Sequence, residues 1–162
     1  MAKNAMDVVK AIIFNYIKKQ EENNIPKDQY EYPTQLKIQK LLYFAQAAFL
    51  SLLNKPAFKE EIEAWQYWPV VREVYNELKK FWNNPVKFDS ADLKKAYSKF
   101  SDKEKDIISF INDTFWKYSA SKLVEITHKH KPWKEAFERD ETVISKSTLQ
   151  KYYKPLFEFD LK

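Results

Sequence analysis

Apolar residues recur along the first part of the chain at helical spacing. Val8, Val9, Ile12, Ile13, Tyr16 and Ile17 share one face, with Lys10, Lys18 and Lys19 on the other. The pattern predicts a first helix from about Asn4 to Glu22. Asn23, Asn24 and Pro26 end it, with asparagine in the left-handed position that glycine usually fills. Tyr30 to Pro33 reads as extended, because a residue before proline avoids the α region. Thr34 suits the N-cap of a second helix running to about Leu53. Along it Leu36, Ile38, Leu41, Leu42, Ala45, Phe49, Leu52 and Leu53 cover more than one stripe, which places this helix at the centre. Asn54 stands where a C-terminal glycine would.

The period then changes. Ile62, Ala64 and Gln66 alternate with Glu63, Trp65 and Tyr67, as in a short strand. Pro69 is expected to open the next helix at its first turn, carrying Val70, Val74, Leu78 and Phe81. Asn83, Asn84 and Pro85 form a turn, and Val86 to Phe88 reads as a second strand. A short helix follows over Asp92 to Phe100. Ser101 and Glu104 then have the spacing of a capping box, ahead of Ile107, Ile108, Ile111 and Phe115. Ser119 caps a helix holding Leu123, Val124 and Ile126, and Pro132 starts a short one with Trp133 and Phe137. Ser145 or Ser147 caps the last, through Tyr152. The fold class expected is mainly α: one compact helical bundle over residues 1–162 with about six to eight helices. A short two-stranded β element near 61–67 and 86–88 accompanies it.

Composition sharpens this. The chain has 162 residues, no glycine and no cysteine, where average usage would give about eleven glycines. Phosphate-binding glycine loops, dinucleotide turns and GxSxG nucleophile elbows are therefore excluded. Hairpin turns that need positive φ are left to Asn and Asp, which again favours helices. Without cysteine there is no disulfide, thiolate metal site or cysteine nucleophile. No leader or membrane-spanning run is legible, so the expected compartment is the cytoplasm. The net charge is +5; of 28 basic residues only Arg72 and Arg139 are arginines, leaving 26 lysines. AT-rich codon bias accounts for that excess without a functional cause.

Few residues offer chemistry. His128 and His130, two apart on a helix, point away from each other and cannot share an ion. Glu60, Glu61 and Glu63 have no readable nucleophile as partner and read as a solvated run. Neither an enzyme, a cofactor nor a metal is expected. Lys94, Lys95, Lys99, Lys103 and Lys105, then Lys129 to Lys134, are basic stretches of the type that follows a phosphate backbone. Interleaved Asp102, Glu104, Asp106 and Glu135, with so few arginines, argue against nucleic acid as the partner. The segment Ala64 to Val71 differs. It packs Trp65, Tyr67, Trp68 and Pro69 between a strand and a helix start, close to Arg72. Trp, Tyr and Arg dominate binding hot spots. The expected contact set is Trp65, Tyr67, Trp68, Arg72 and Tyr75, with His128 and Trp133 as a second cluster. For Trp65, His128 and Trp133 a role inside the fold is the stronger expectation.

At this segment the sequence resembles the Panacea domain family, the SocA-like antitoxin domain. Leu36 to Gln46 reads LKIQKLLYFAQ, similar to the family's LKLQKLLYYAQ. Lys55-Pro56 and Phe58 follow, then Ile62 to Tyr67 and Pro69 to Val71, similar to IEAWxYGPVV. Ser119-Ala120, Leu123, Thr127-His128 and Pro132-Trp133 continue in the family's order. The resemblance implies a mainly helical domain without enzymatic activity. It implies an antitoxin that neutralises a cognate protein toxin by direct binding, or, as in one branch, an adaptor that presents the toxin to a protease unfoldase. Where the family has glycine in YGPVV this chain has Trp68, and Ala47, Asn54 and Lys117 or a neighbour stand at other family glycines. Tryptophan at positive φ would cost about 1 kcal/mol or more. Trp68 is thus where divergence from relatives is expected.

Overall fold

The computed structural model describes residues 3–66 and 68–160. Helix α1 spans Ala5–Glu22, α2 Gln35–Leu53, α3 Arg72–Leu78 and α4 Ser90–Ser98. Helix α5 spans Asp102–Phe115, α6 Ala120–Lys129, α7 Lys131–Glu138 and α8 Lys146–Asp160. Three short strands, β1 (Ile62–Ala64), β2 (Pro69–Val70) and β3 (Val143–Ile144), form an antiparallel sheet in the order β2-β1-β3. The architecture is mainly helical, as the apolar periodicity requires.

Local chemistry accounts for most boundaries. The Asn4 side chain accepts from the Asp7 amide and opens α1, and Thr34 accepts from Lys37 to open α2. The Ser101–Glu104 capping box is complete, each side chain bonding the other's backbone amide. Positive φ falls on Asn24, Asn54, Trp82 and Asp140 among the described residues. Asn54, at φ 54 and ψ 35, ends α2 in the glycine-like role expected of it.

The centre is α2, where every residue from Ile38 to Ser51 is buried. It packs most extensively against α8, and also against α5 and α6, while α1 is sandwiched with α4 and α5. A helix buried on all sides must satisfy its polar side chains internally. Gln46 accepts from the Ala57 and Phe58 amides (2.7 and 3.3 Å) and donates to the Phe58 carbonyl at 3.1 Å. Gln39 accepts from the Val71 amide (2.8 Å) and donates to its carbonyl (3.2 Å). On α1, Gln20 does the same to Glu31. Each amide side chain behaves like a β-strand neighbour, holding a loop by its main chain.

Three expectations are corrected. Residues 86–88 form no strand: the Val86 amide donates to the Pro33 carbonyl at 2.8 Å, and its buried side chain plugs the core beside the 30–33 segment. The partners of β1 are β2, pairing Glu63 with Val70 and Ala64 with Pro69, and β3, pairing Ile62 with Ile144. Pro69 begins an edge strand rather than a helix, a place where its missing N–H costs no ladder bond. The helix waits until Arg72, after Gln39 has captured the Val71 backbone. Finally, α8 continues past Tyr152 to Asp160, with Tyr153 and Phe157 buried against the core.

Candidate functional site

The β1–β2 hairpin projects its loop, residues 65–68, over the N-terminal half of α2. The Trp65 amide donates to the Trp68 carbonyl at 3.2 Å and closes the loop. Beneath it lies Lys40, with no exposed surface. The Lys40 Nζ donates to the Pro69 carbonyl at 3.4 Å and sits 5.0 Å from the centre of the Trp68 ring. Burial drives its pKa from the ordinary 10.5 down to about 6. Periodicity marks Lys40 only as a polar break in an apolar helix. That break, on a helix without a solvent face, is the signal that identifies it.

Trp65, Arg72 and Tyr75 come together at the surface beside this loop. The Arg72 guanidinium forks onto Glu63, with Nε to Oε2 at 2.9 Å and Nη2 to Oε1 at 2.7 Å. It also lies over the Trp65 ring at 5.4 Å. The Trp65 indole donates to Glu63 at 3.3 Å, and Tyr75 meets Trp65 edge-on at 5.1 Å. The hydrogen bonds from Arg72, and then that from Trp65, outweigh partial burial and hold the Glu63 carboxyl below its usual range. A planar cation is thus fixed over an aromatic ring at an exposed position, with its orientation set before any partner arrives.

The second cluster joins the first from below. Trp133, only 7% exposed, donates its indole N–H to the Trp65 carbonyl at 3.0 Å. His128 stacks on this indole, 4.2 Å from the Trp133 ring and within 10° of parallel. Phe137 stacks on Trp133 in turn at 5.1 Å. Burial, then the neighbouring Lys40 charge, lowers the His128 pKa. His130 turns elsewhere: its Nδ1 lies 2.6 Å from the Tyr153 hydroxyl, which donates to Tyr43 at 3.0 Å. The two histidines separate as their spacing requires. Among the described residues no three His, Asp or Glu side chains converge as metal ligands. Tyr67 lies outside the described residues.

Residues 38–134 match the family model of the antitoxin SocA-like, Panacea domain. The chain belongs to the Panacea antitoxin family. The matched stretch of this Panacea domain starts within α2 and runs through the hairpin to Lys134, so it holds Lys40, Gln39, the hairpin loop and both aromatic clusters apart from Phe137. Comparison with curated proteins and with solved structures gives no match. No helix among the described residues of the Panacea chain is long and apolar enough to cross a membrane.

One residue escaped the sequence reading altogether. Trp82 has φ 51 and ψ −123 and is 76% exposed. It follows a 3₁₀ turn over Lys79–Phe81 and precedes Asn83 and Asn84, either of which tolerates positive φ better. Only the glycine-free composition hinted that an ill-suited residue would have to occupy such a position. The strained tryptophan on this surface is Trp82, whereas the φ of Trp68 turns on Tyr67, outside the described residues.

Proposed function

We propose that this chain neutralises a cognate protein toxin by binding it directly through the hairpin loop and the start of α3. The reading rests on membership of the antitoxin family. The observation that carries it to these residues is the Glu63–Arg72–Trp65–Tyr75 arrangement. It presents a preordered guanidinium and aromatic rings on one exposed face. Ordering these groups in the free protein lowers the entropy lost on association. Trp68 extends the face along the loop. Trp133 and His128 support it from inside by fixing the Trp65 backbone, and occlusion of the toxin requires no chemical step.

Co-expression with the neighbouring toxin gene tests this. Arg72→Ala and Trp68→Ala, each verified as folded by circular dichroism, should lose growth rescue while a control at exposed Lys154 retains it. Full rescue by both variants would place the contact elsewhere. Accelerated toxin turnover that needs a bacterial unfoldase would instead assign the chain to the adaptor branch.

A further inference from the structure

Between the N-terminal turn of α2 and the turn after α3 lies a cleft of about 270 Å³. Leu36, Gln39, Trp68, Tyr75 and Trp82 line it, with Gln35 at its base. On the far side of Trp82 it continues into a second hollow of about 450 Å³ bounded by Asn76, Lys79 and Lys80. The first compartment is smaller than the roughly 300–1,000 Å³ of typical cofactor pockets, but it takes one large apolar side chain.

Trp82 is the unusual wall. It is the second residue of a turn in which the Asn84 amide donates to the Phe81 carbonyl at 2.9 Å. With φ 51 and ψ −123 it has the backbone of a turn position that glycine normally occupies. Its hydrogen bonds to the fold among the described residues are made by main chain: its amide donates to the Lys79 carbonyl and its carbonyl accepts from Gln35 at 2.8 Å. Among the described residues the indole has no hydrogen bond and no ring neighbour. Backbone strain is therefore sustained at a residue whose large apolar side chain stays 76% exposed. The other half of the Gln35 amide is also unspent, since its buried Oε1 accepts no hydrogen bond among the described residues. Strain and an orphan acceptor meet at one cleft.

Charge selects the occupant. Lys79 and Lys80 border the hollow and make no ion pair among the described residues, against a single lining acid, Glu77. A second copy of this chain, with net charge +5, would bring like charge to the same rim. We infer that the cleft is an anchor site for the toxin, receiving one large apolar side chain carried on an acidic segment, with Trp82 as its principal wall. This rests on the antitoxin reading above and extends its surface from the hairpin to the turn after α3.

The test uses the purified product of the neighbouring toxin gene, its affinity measured by biolayer interferometry against wild type, Trp82→Gly, Trp82→Phe, a Lys79→Glu/Lys80→Glu double variant and Arg72→Ala. Trp82→Gly should raise the urea midpoint, because strain is relieved and little packing is lost, yet weaken toxin binding about thirty-fold or more. Trp82→Phe should recover part of that affinity, and the charge reversal should slow association and remove most of its salt dependence. If Trp82→Gly binds like wild type while Arg72→Ala does not, the anchor is refuted and the hairpin surface stands. If neither weakens binding, both fall. Tighter binding after charge reversal refutes an acidic partner. A wild-type dimer in sedimentation that becomes monomeric in Trp82→Gly assigns the cleft to a second copy and overturns the proposal.

Discussion

Replacing Lys40 with methionine isolates the cost of burying a basic group in this core. In the unfolded chain the amine titrates near 10.5, and in the folded chain near 6. Between these values the unfolded state binds more protons, so stability rises with pH. The penalty is fully present below about pH 6 and is gone above about 10.5. At pH 7 it amounts to about 1.36 kcal/mol for each of the 3.5 pH units below 10.5, roughly 5 kcal/mol, and at pH 9 to about 2 kcal/mol. Wild type should therefore gain about 3 kcal/mol between pH 7 and 9. With a urea dependence of about 2 kcal/mol per molar, the midpoint moves up by about 1.5 M. Burial lowers the pKa of both histidines, so their contributions lie below this window, and Tyr43 and Tyr153 are pushed up by burial, so theirs lie above it. Burial also lowers the pKa of Lys37, which adds its own rise with pH to both proteins alike, so the difference between wild type and Lys40→Met isolates Lys40. Lys40→Met keeps the volume and removes the proton site. Its midpoint should rise much less than that of wild type over the same range and be higher than wild type at pH 7. Parallel curves for the two proteins would refute the reasoning, because the ammonium would then stay charged in the folded state.

Two further substitutions test the internal hydrogen bonding by urea unfolding. Gln46→Leu leaves the Ala57 and Phe58 amides and the Phe58 carbonyl without their partners, and should cost about 2–4 kcal/mol at constant fold. A loss below about 0.5 kcal/mol would mean that those groups find water instead. Ser101→Ala removes half of the capping box and should cost about 1 kcal/mol, while Ser101→Asp keeps most of it.

The parts of this fold legible in the sequence are those governed by nearest neighbours. Asn4, Thr34, Ser101 and Ser119 cap helices because the required bond reaches only two or three residues ahead. Asn54 takes the left-handed position for an equally local reason. Pro69 was misleading because its local preference for a helix start is overridden from a distance. Gln39 fixes the Val71 backbone, and β1 supplies a ladder with which Pro69 pairs. Val86 likewise has the composition of a strand, but its amide is already taken by Pro33. Of the candidate site, the aromatic content of the hairpin and Arg72 were legible. Lys40 shows only as a polar break in an apolar helix and Trp82 not at all, since one acquires its significance from burial and the other from a backbone angle.

The glutamine side chains that reach from the core into the loops bond peptide groups only, so they read no side-chain identity. Gln39 fixes the start of α3 through Val71, and Gln46 fixes the segment before β1 through Ala57 and Phe58. The hairpin and the helix behind it are thus mounted by a fixture indifferent to what they display. Exposed positions such as Arg72 and Tyr75 can be exchanged for other residues while the mounting stays put. A scaffold attached in this way can change its specificity by surface substitution alone, with the core sequence untouched.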